Sequence, residues 1–406
     1  MVKSVVAIVR CPDYRPETLD EAIKRLQLFI GGFEGLIQRN DSVFLKINHL
    51  GNHGLEHAVN THPEVVSSLA RSLRPITNNI TVGDGLDTPD MSPFATTGYT
   101  QMCRESGLKL VNFCRQGYVR VEVEGAQAIK RVPIGAVAAE ADFVVTLPKL
   151  KTHMLTLMTG AVKNNYGYLP HEMRVLLHRE HISPTDFAGA VVDVYAGCKA
   201  GLVVMDAITA LEGAGPALGG RPRHLGLLIG GRDAVAVDAV ASAIIGLDPM
   251  GVATTRMAHE RGLGMGDLSQ IEVVGCSIEE VRCADFAMPP NHEMMTRAID
   301  GLPRGVRRLL SRALRSTRQW PRVKLSKCTG CGVCAAHCPQ DTIEVSGGKA
   351  RINYDECISC FCCLEFCPAN AMRPRRSMAG GVMAAGTYAF SRTAQAVGKL
   401  FAHRRG

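Results

Sequence analysis

The chain contains two cysteine-rich stretches, CTGCGVCAAHCP (328–339) and CISCFCCLEFCP (357–368). In each stretch three cysteines follow one another at intervals of three residues, and a fourth cysteine comes directly before a proline. Thiolates spaced this densely are typical of a domain that encloses iron–sulfur clusters. The two stretches therefore predict a small domain whose fold is built around metal clusters.

Zinc sites and disulfides are the alternative uses of these cysteines. Structural zinc usually takes two CxxC pairs separated by a longer loop, which differs from three cysteines at intervals of three. Disulfides belong mainly to exported proteins, and the opening segment MVKSVVAIVR (1–10) has no cleavage-site pattern. Clusters remain the favoured interpretation, and the predicted compartment is a reducing cytoplasm.

The same stretches resemble bacterial ferredoxins that carry two [4Fe–4S] clusters, over a length of roughly 45 residues. In such ferredoxins the fourth cysteine of each run ligates the other cluster. The resemblance implies one ligand set for each cluster: Cys328, Cys331, Cys334 and Cys367 for the first, and Cys357, Cys360, Cys363 and Cys338 for the second. The intervening segment 341–355 has the pattern of two strands joined by a Gly-Gly turn, which this resemblance leads us to expect.

Apolar strands alternate with amphipathic helices over the first two thirds of the chain, as in SVVAIVR (4–10), SVFLKIN (42–48) and GLVVMDAI (201–208). This alternation predicts an α/β fold with a largely parallel sheet and helices on both faces. The predicted organisation comprises four segments: an α/β domain over 1–286, a basic linker with an amphipathic helix over 287–320, a small ferredoxin-like α+β two-cluster domain over 321–372, and a basic tail over 373–406.

The net charge of +8 conceals a charge asymmetry along the chain. Residues 303–326 contain eight Lys/Arg and residues 371–406 contain seven, and neither segment contains an acid; this leaves 31 basic against 38 acidic residues elsewhere. The amphipathic basic segments 304–316 and 384–406 suit an anionic membrane surface, but we favour packing against the acidic body or another protomer. Neither segment has a recognisable nucleic-acid-binding fold, so no nucleic-acid partner is predicted. The oligomeric state is left open.

Polar side chains gather where the predicted strands end, which is where open α/β sheets bind ligands. Lysines, amides and glycine loops at these ends suit an anion such as a carboxylate or a phosphate. The candidates for binding the anion or a cofactor are Lys46, Asn48, Lys149, Lys163 and Asn164. The candidates for catalysis are Lys151, His153 and His178, the histidines because their ordinary pKa lies near neutral.

Two alternatives bear on this site. The lysines could be ordinary solvated loop residues, since lysines are mostly found on surfaces. A classical nucleotide site is not indicated, because neither GDGLDT (83–88) nor EGAGPALGG (212–220) matches the P-loop or dinucleotide pattern. The sequence leaves open whether this domain holds a flavin, a metal or neither.

A second resemblance extends beyond the cysteines. It rests on these strings: LKIN (45–48), THPEVV (61–66), LPKLKTH (147–153), TGAVKNNYG (159–167), EGAGPALGG (212–220) and DAVAVDAVASAIIGLDP (233–249). Together they resemble the uncharacterised iron–sulfur centre protein family, in which a domain of unknown function is fused to a ferredoxin module. The resemblance covers nearly all of residues 4–275 and implies this architecture, but no established substrate. LKIN departs from the family's expected LKPN, and without this proline we expect a looser loop at Asn48 and an unaltered Lys46.

These observations lead to two functional hypotheses. The first is an iron–sulfur oxidoreductase that passes electrons from two [4Fe–4S] clusters to a small anionic substrate or cofactor held in the α/β domain. The second is a pure electron carrier whose α/β domain is a docking module. Both require a redox partner protein.

Overall fold

The computed structural model describes residues 3–86, 88–153, 155–181, 183–217, 220–289, 319–336, 338, 341–357, 363, 367, 369 and 371–376. The chain forms two compact units, Met1–Arg174 with Ser183–Gly301, and Val175–Ile182 with Leu302–Gly406. The unit boundary falls inside the predicted linker, but residues 290–318 of that linker lie outside the described residues. So do the tail residues 377–406, and with them both predicted amphipathic segments.

The first unit alternates strands and helices along the chain. Its strands are β1 (Ser4–Arg10), β2 (Val43–Ile47), β3 (Ile80–Asp84), β4 (Lys109–Asn112), β5 (Tyr118–Glu122), β6 (Arg131–Gly135), β7 (Phe143–Leu147), β8 (Lys149–His153), β9 (Leu157–Thr159), β10 (Leu202–Gly213), β11 (Gly220–Gly231) and β12 (Ile271–Gly275). Its helices are α1 (Pro16–Phe29), α2 (Pro63–Leu73), α3 (Ser92–Thr96), α4 (Tyr99–Glu105), α5 (Phe113–Gln116), α6 (Ala136–Ala139), α7 (Ala161–Asn164), α8 (His171–Glu180), α9 (Pro184–Gly197), α10 (Ala234–Ile244), α11 (Ala253–Glu260) and α12 (Ile278–Val281). The second half of α8 is grouped with the second unit.

Ten described strands form one sheet, with the main order β12-β1-β11-β10-β7-β2-β3-β4 and with β8 and β9 joined at the side of β10. The pairings of β7, β2, β3 and β4 are parallel, as are those of β10 with β7 and β1 with β12. Strand β11 runs antiparallel to both of its neighbours. The predicted largely parallel sheet is therefore confirmed, and the carboxyl ends of β2, β3 and β7 meet at one edge.

Helices cover both faces of this sheet. Alternate strand residues such as Leu45, Val145 and Val204 belong to one core cluster with buried residues of α1, α2 and α4. On the opposite face Phe44 contacts the ring of Phe113 on α5, and helices α6, α7 and α10 also contact strands. Burial on both faces explains why strands such as β2 are continuously apolar apart from one lysine.

The second unit contains two described two-stranded ribbons and a short helix. Strand β13 (Gln319–Val323) pairs antiparallel with β16 (Met372–Arg376), and β14 (Ile343–Ser346) pairs antiparallel with β15 (Lys349–Ile352). The helix α13 (Val333–Ala336) contains Cys334, the third cysteine of the first stretch, and ends before the fourth. Gly347 and Gly348 both have positive φ, 60° and 70°, so the predicted Gly-Gly hairpin turn is present.

None of the described helices is both long and apolar enough to cross a membrane.

Candidate functional site

Lys46 lies at the carboxyl end of β2 with its side chain fully buried. Its Nζ donates to Asp84 Oδ1 at 2.8 Å and to the Ile47 carbonyl at 2.7 Å. Asp84 ends the neighbouring strand β3, and it also accepts the backbone N–H groups of His49 and Gly85, each at 2.8 Å. Parallel pairing of β2 and β3 thus brings a lysine and an aspartate together as a buried ion pair.

Lys149 on β8 forms a second buried ion pair. Its Nζ donates to Asp206 Oδ2 at 2.9 Å and to the Tyr14 hydroxyl at 3.0 Å. Asp206 also accepts the Tyr14 hydroxyl at 3.0 Å and the backbone N–H groups of His62 and Ile208. Lys149 and Asp206 are 1% and 0% exposed, so this charge pair depends entirely on its protein partners.

Lys151 lies two residues further along β8, on the same face as Lys149, and is 2% exposed. Its Nζ donates only to the Val59 carbonyl, at 2.9 Å, and has no acidic partner among the described residues. Burial lowers the pKa of Lys151 well below its ordinary value, and the nearby positive charge of Lys163, Lys149 and Lys46 lowers it further, with Asp84 opposing. Lys151 is therefore a buried amine in a field of positive charge.

Lys163 lies on the short helix α7, and its ammonium contacts two aromatic rings. Nζ lies 5.4 Å from the Tyr166 ring centroid and 5.8 Å from that of Phe187, within the range of cation–π attraction. Within the described part of the chain it has neither a hydrogen bond nor an ion pair. Burial lowers the pKa of Lys163 to about 7, with a smaller contribution from the positive charge of Arg174.

The four lysines thus divide into two pairs with different environments. Lys46 and Lys149 are neutralised by Asp84 and Asp206, whereas Lys151 and Lys163 face no carboxylate in the described residues. The alternative of solvated loop lysines is excluded for Lys46, Lys149 and Lys151 by their burial. An uncompensated buried ammonium is costly unless a counter-charge is supplied, so this arrangement is suited to receive an anion.

Two buried polar atoms nearby lack a hydrogen-bond partner within the described residues: His49 Nδ1 and Thr159 Oγ1. Thr159 is the register partner of Lys151 on β9, so the two side chains share one face of the β8–β9 pair. His49 is within electrostatic reach of Lys151. Burial lowers the pKa of His49 to about 4, so its ring is neutral near pH 7. Orphaned polar atoms beside an unpaired amine are features of a ligand site.

The two predicted asparagines have structural contacts. Asn48 Nδ2 donates to the Val59 carbonyl at 3.1 Å, so one carbonyl accepts from both Asn48 and Lys151. Asn164 Nδ2 donates to the Lys46 carbonyl at 3.2 Å and to Thr146 Oγ1 at 2.8 Å, which uses both of its donor hydrogens. The Asn164 donors therefore tie α7 to strands β2 and β7, and a role for Asn164 in binding a ligand stays a prediction.

The two predicted catalytic histidines lie on different elements. His153 ends β8 and is 5% exposed; its Nδ1 accepts the backbone N–H groups of Leu155 and Thr156, and its ring stacks on Phe187 with centroids 6.3 Å apart. The same Phe187 ring lies beneath the Lys163 ammonium. His178 lies on α8, in the segment 175–182 of the second unit. Proton donation by either ring remains a prediction.

Asp238 holds helix α7 in place, and the sequence pattern did not single it out. Its fully buried carboxylate accepts the N–H groups of Ala161 and Val162 at 2.6 and 3.0 Å. A Cβ at Gly160 would lie 2.2 Å from Asp238 Oδ1, so only glycine fits before α7. An acid inside the mostly apolar string AVAVDAVASAI was the available signal. Asp238 therefore fixes the position of Lys163 through α7.

Replacing Asp238 by asparagine is expected to remove a pH dependence of stability. Burial raises the pKa of Asp238 from 3.8 to about 7, so the folded chain holds this proton more tightly than the unfolded chain. The bound proton stabilises the folded chain fully below about pH 4, and this stabilisation is lost as the pH rises through 7. The free energy of unfolding is expected to change by up to about 4 kcal/mol. Urea unfolding followed by far-UV circular dichroism at several pH values measures it.

The quantity to compare is the difference in the free energy of unfolding between wild type and Asp238→Asn, measured at each pH. The variant loses an acceptor at every pH, which lowers its stability by a constant amount of about 1–3 kcal/mol. Only the loss of the Asp238 proton makes this difference in free energy shrink as the pH rises from 4 to 7. A difference in the free energy of unfolding that stays constant over this range would show that the Asp238 carboxyl is already ionised at pH 4.

In the second unit, one cavity is lined by four cysteines: Cys328, Cys331, Cys334 and Cys367. Two of their sulfurs accept backbone hydrogen bonds: Ala350 N donates to Cys328 Sγ at 3.4 Å and Ala371 N to Cys367 Sγ at 3.2 Å. Such N–H donors stabilise thiolate sulfur and help to set the potential of a cluster. The residues that line the cavity thus fit a cluster ligated by thiolates.

Glycines allow the loop of this cavity to form. A Cβ at Gly330, where φ is +72°, would lie 2.4 Å from the Gly348 carbonyl oxygen of the hairpin turn. The first cysteine loop and the β14–β15 turn can therefore approach only because Gly330 has no side chain.

The other cysteine set is described in part. Cys338 is 6% exposed, and its Sγ accepts Thr342 N at 3.3 Å and lies 3.2 Å from Thr342 Oγ1. Cys338 and Cys363 lie in one apolar cluster, while Cys357 is partly exposed. Cys360 lies outside the described residues.

Two family models match the chain. Residues 43–243 match the domain of unknown function DUF362, and residues 321–368 match a 4Fe-4S dicluster domain. The α/β fold and the dicluster domain define the class: an iron–sulfur protein with two [4Fe–4S] clusters and an attached α/β domain. The chain belongs to the DUF362 family, in the form fused to a ferredoxin module, and the resemblance noted in the sequence is confirmed.

One relative of the chain, from Synechocystis sp., is the thylakoid-associated protein sll1697. It is 30% identical over 267 residues, which are 65% of this chain and 81% of the relative.

Two solved structures have local similarity to the chain. They are the lactate racemase apoprotein from Thermoanaerobacterium thermosaccharolyticum, with 12% identity and a TM-score of 0.34, and a structural-genomics protein from Thermotoga maritima, with 14% identity and a TM-score of 0.33. The aligned regions span 55% and 54% of this chain and only 54% and 56% of those chains. Scores this low carry no argument about function.

Proposed function

We propose that this iron–sulfur protein is a ferredoxin-linked oxidoreductase that reduces a small anionic substrate or cofactor in its α/β domain. The observation that carries the proposal is the pair Lys151 and Lys163, two amines that face no carboxylate among the described residues. A bound anion would supply the missing counter-charge and would raise the pKa of both lysines. Electron transfer itself follows from the dicluster domain.

The proposed roles follow from the contacts. Lys151 and Lys163 bind the anion directly and neutralise the charge that develops as electrons arrive. Lys46 and Lys149, held by Asp84 and Asp206, add a fixed positive field. His153 is the proposed proton donor, with its unprotonated Nδ1 held by two backbone N–H groups so that Nε2 carries the proton.

The cysteine roles are proposed on the same basis. The cavity set Cys328, Cys331, Cys334 and Cys367 is assigned to one [4Fe–4S] cluster, and Cys338, Cys357, Cys360 and Cys363 to the other. Support comes from the shared cavity and from the N–H donors to sulfur. Iron analysis should give about eight irons per chain. The reducing cytoplasm remains our predicted compartment.

The function is tested by electron consumption. Holoprotein is purified anaerobically, its clusters are reduced with dithionite, and excess reductant is removed. Small-molecule extracts of the source cells, fractionated by anion exchange, are then added one fraction at a time. Recovery of the visible absorbance of the oxidised clusters reports electron transfer. We expect a retained, anionic fraction to reoxidise the clusters, and Lys163→Met to lower that rate roughly 10- to 100-fold, because a charge-assisted contact is lost.

Lys24→Met is the matched control, because Lys24 is exposed on α1 and should leave the rate unchanged. Equal rates for Lys163→Met and Lys24→Met would contradict the anion site. If no small-molecule fraction reoxidises the clusters, the carrier hypothesis replaces the oxidoreductase.

A further inference from the structure

The β13–β16 ribbon has two chemically different faces. In its antiparallel register Val323 is opposite Met372, Arg322 is opposite Arg373, and Trp320 is opposite Arg375. Because directly opposite residues share a face and successive residues alternate, three arginines and the tryptophan lie on one side. Arg322, Arg373 and Arg375 are all exposed, and Trp320 is partly exposed.

The other face of the ribbon packs on the cysteine core. Met372 is 1% exposed and lines the cavity of the four cysteines, and Val323 packs against the same apolar cluster. Ala371, next to Met372, donates its N–H to Cys367 Sγ. The arginine face is therefore separated from the proposed cluster ligands by only the thickness of one ribbon.

Tyr354 extends the arginine face. Its ring meets Trp320 edge to face with centroids 5.8 Å apart, and its hydroxyl donates to the Pro321 carbonyl at 2.9 Å. The side chain is 44% exposed. One exposed surface, the ribbon patch, thus comprises Trp320, Arg322, Tyr354, Arg373 and Arg375.

The ribbon patch has an unfavourable charge distribution within its own unit. Like charges directly opposite each other on paired strands destabilise the pairing, and here Arg322 is opposite Arg373. Among the described residues, neither Arg322 nor Arg375 forms an ion pair. A surface that keeps such charges adjacent and exposed is suited to receive negative charge from outside.

We propose that the ribbon patch is the docking surface for an acidic electron-transfer protein that exchanges single electrons with the clusters. This inference rests on the iron–sulfur domain alone and is independent of the anion site in the α/β domain. In the exchange, one cluster loses or gains one electron and the partner's redox centre gains or loses it. No bond forms or breaks, and no proton moves.

Composition favours a protein over other polyanions. Tryptophan, tyrosine and arginine are the residues most enriched at the energetic centres of protein interfaces. The planar guanidinium pairs with carboxylates through two parallel hydrogen bonds, which fixes orientation as well as charge. Electron-transfer complexes use small, transient interfaces, so a patch of five side chains next to the clusters is of adequate size.

The test uses two haem proteins of opposite charge as acceptors. Reduced holoprotein is mixed in a stopped-flow apparatus with oxidised cytochrome b5, which is acidic, or with oxidised cytochrome c, which is basic. We expect the rate with cytochrome b5 to fall as salt is added, and Arg322→Gln/Arg375→Gln to lower it roughly tenfold or more at low ionic strength. The rate with cytochrome c should not fall, either on addition of salt or in the double glutamine variant. The difference in cytochrome b5 rate between wild type and the double glutamine variant should narrow at high salt, because screening removes the electrostatic steering of the partner.

Two further variants separate charge from folding. Arg322→Lys/Arg375→Lys keeps both charges and should keep most of the rate, and Lys24→Gln removes an exposed charge outside the ribbon and should match wild type. Reduction of the clusters by dithionite should be the same in all variants. A cytochrome b5 rate for the double glutamine variant equal to that of Lys24→Gln would overturn the proposal.

A membrane surface is the competing occupant. If the double glutamine variant loses flotation with phosphatidylserine vesicles while its cytochrome b5 rate is unchanged, the ribbon patch binds lipid and the proposal is wrong. Because the assay does not involve Lys151 or Lys163, its failure is distinguishable from a failure of the proposed oxidoreductase activity.

Discussion

Lys151→Met is expected to make the α/β unit more stable and unable to bind anions. The buried amino group of Lys151 has no acidic partner among the described residues, so its removal relieves a desolvation cost. The Val59 carbonyl keeps its second donor, Asn48 Nδ2, so no polar group is orphaned. We expect the free energy of unfolding at pH 7 to rise by about 1–4 kcal/mol.

Two measurements test this expectation together. Urea unfolding followed by far-UV circular dichroism reports the stability, because the first unit holds most of the described helices and strands. Added inorganic phosphate or oxalate should raise the stability of wild type as binding to the folded state predicts, and should leave Lys151→Met unchanged. Lys24→Met, at an exposed site, should behave as wild type in both measurements.

A loss of stability in Lys151→Met would mean that the amine is a structural hydrogen-bond donor. That result would remove the main support for the anion site. A gain in stability with anion binding retained would place the ligand elsewhere. A variant that is more stable but no longer binds anions is typical of a residue kept for function at the cost of folding stability.

Asp206→Asn is expected to produce the largest loss of stability, about 3–5 kcal/mol. The change leaves the buried Lys149 ammonium without a counter-charge. The new amide also places a donor against either the His62 N–H or the Ile208 N–H, depending on which oxygen its nitrogen replaces. Equilibrium unfolding at pH 7 measures the loss. The single tryptophan, Trp320, belongs to the second unit, so its fluorescence should not change in parallel with the circular dichroism signal.

The double variant Lys149→Met/Asp206→Asn identifies the cause. Removing both charges should recover a large part of the lost stability, since an apolar replacement of a buried ion pair is often neutral. The coupling energy of the double-mutant cycle then reports the ion pair itself. Asp13→Asn, which breaks the exposed pair with Arg15, should have no measurable effect. Additive effects of Lys149→Met and Asp206→Asn would show that the two charges do not interact.

The sequence predicted where the polar site would be, but not how its members differ. The rule that ligands bind at strand ends identified Lys46, Lys149 and Lys151 from the strand pattern alone. It could not separate paired from unpaired lysines, because pairing depends on contacts between distant segments. Lys149 meets a tyrosine 135 residues away, and Lys46 meets Asp84 only because β2 and β3 are adjacent.

Other members of the network were not singled out. Tyr14 follows the end of β1, so the strand-end rule would have included it if applied to the first strand. Asp238 lies in an apolar helix, where a lone acid signals a buried partner rather than a solvated face. Asn164 was predicted as a binding residue; its donors contact β2 and β7, and a role in binding a ligand stays a prediction.

The cysteine spacing by itself determined that this protein carries two [4Fe–4S] clusters, because ligand spacing is local and written directly in the chain. Strand and helix periodicity likewise determined the α/β class and the position of the lysines. Only the tertiary structure decided that Lys151 and Lys163 lack the carboxylates that neutralise Lys46 and Lys149. It also decided that Arg322 of β13 and Arg373 and Arg375 of β16 share one face. Both results depend on which strands become neighbours, and strand order depends on packing across the whole unit rather than on any single stretch.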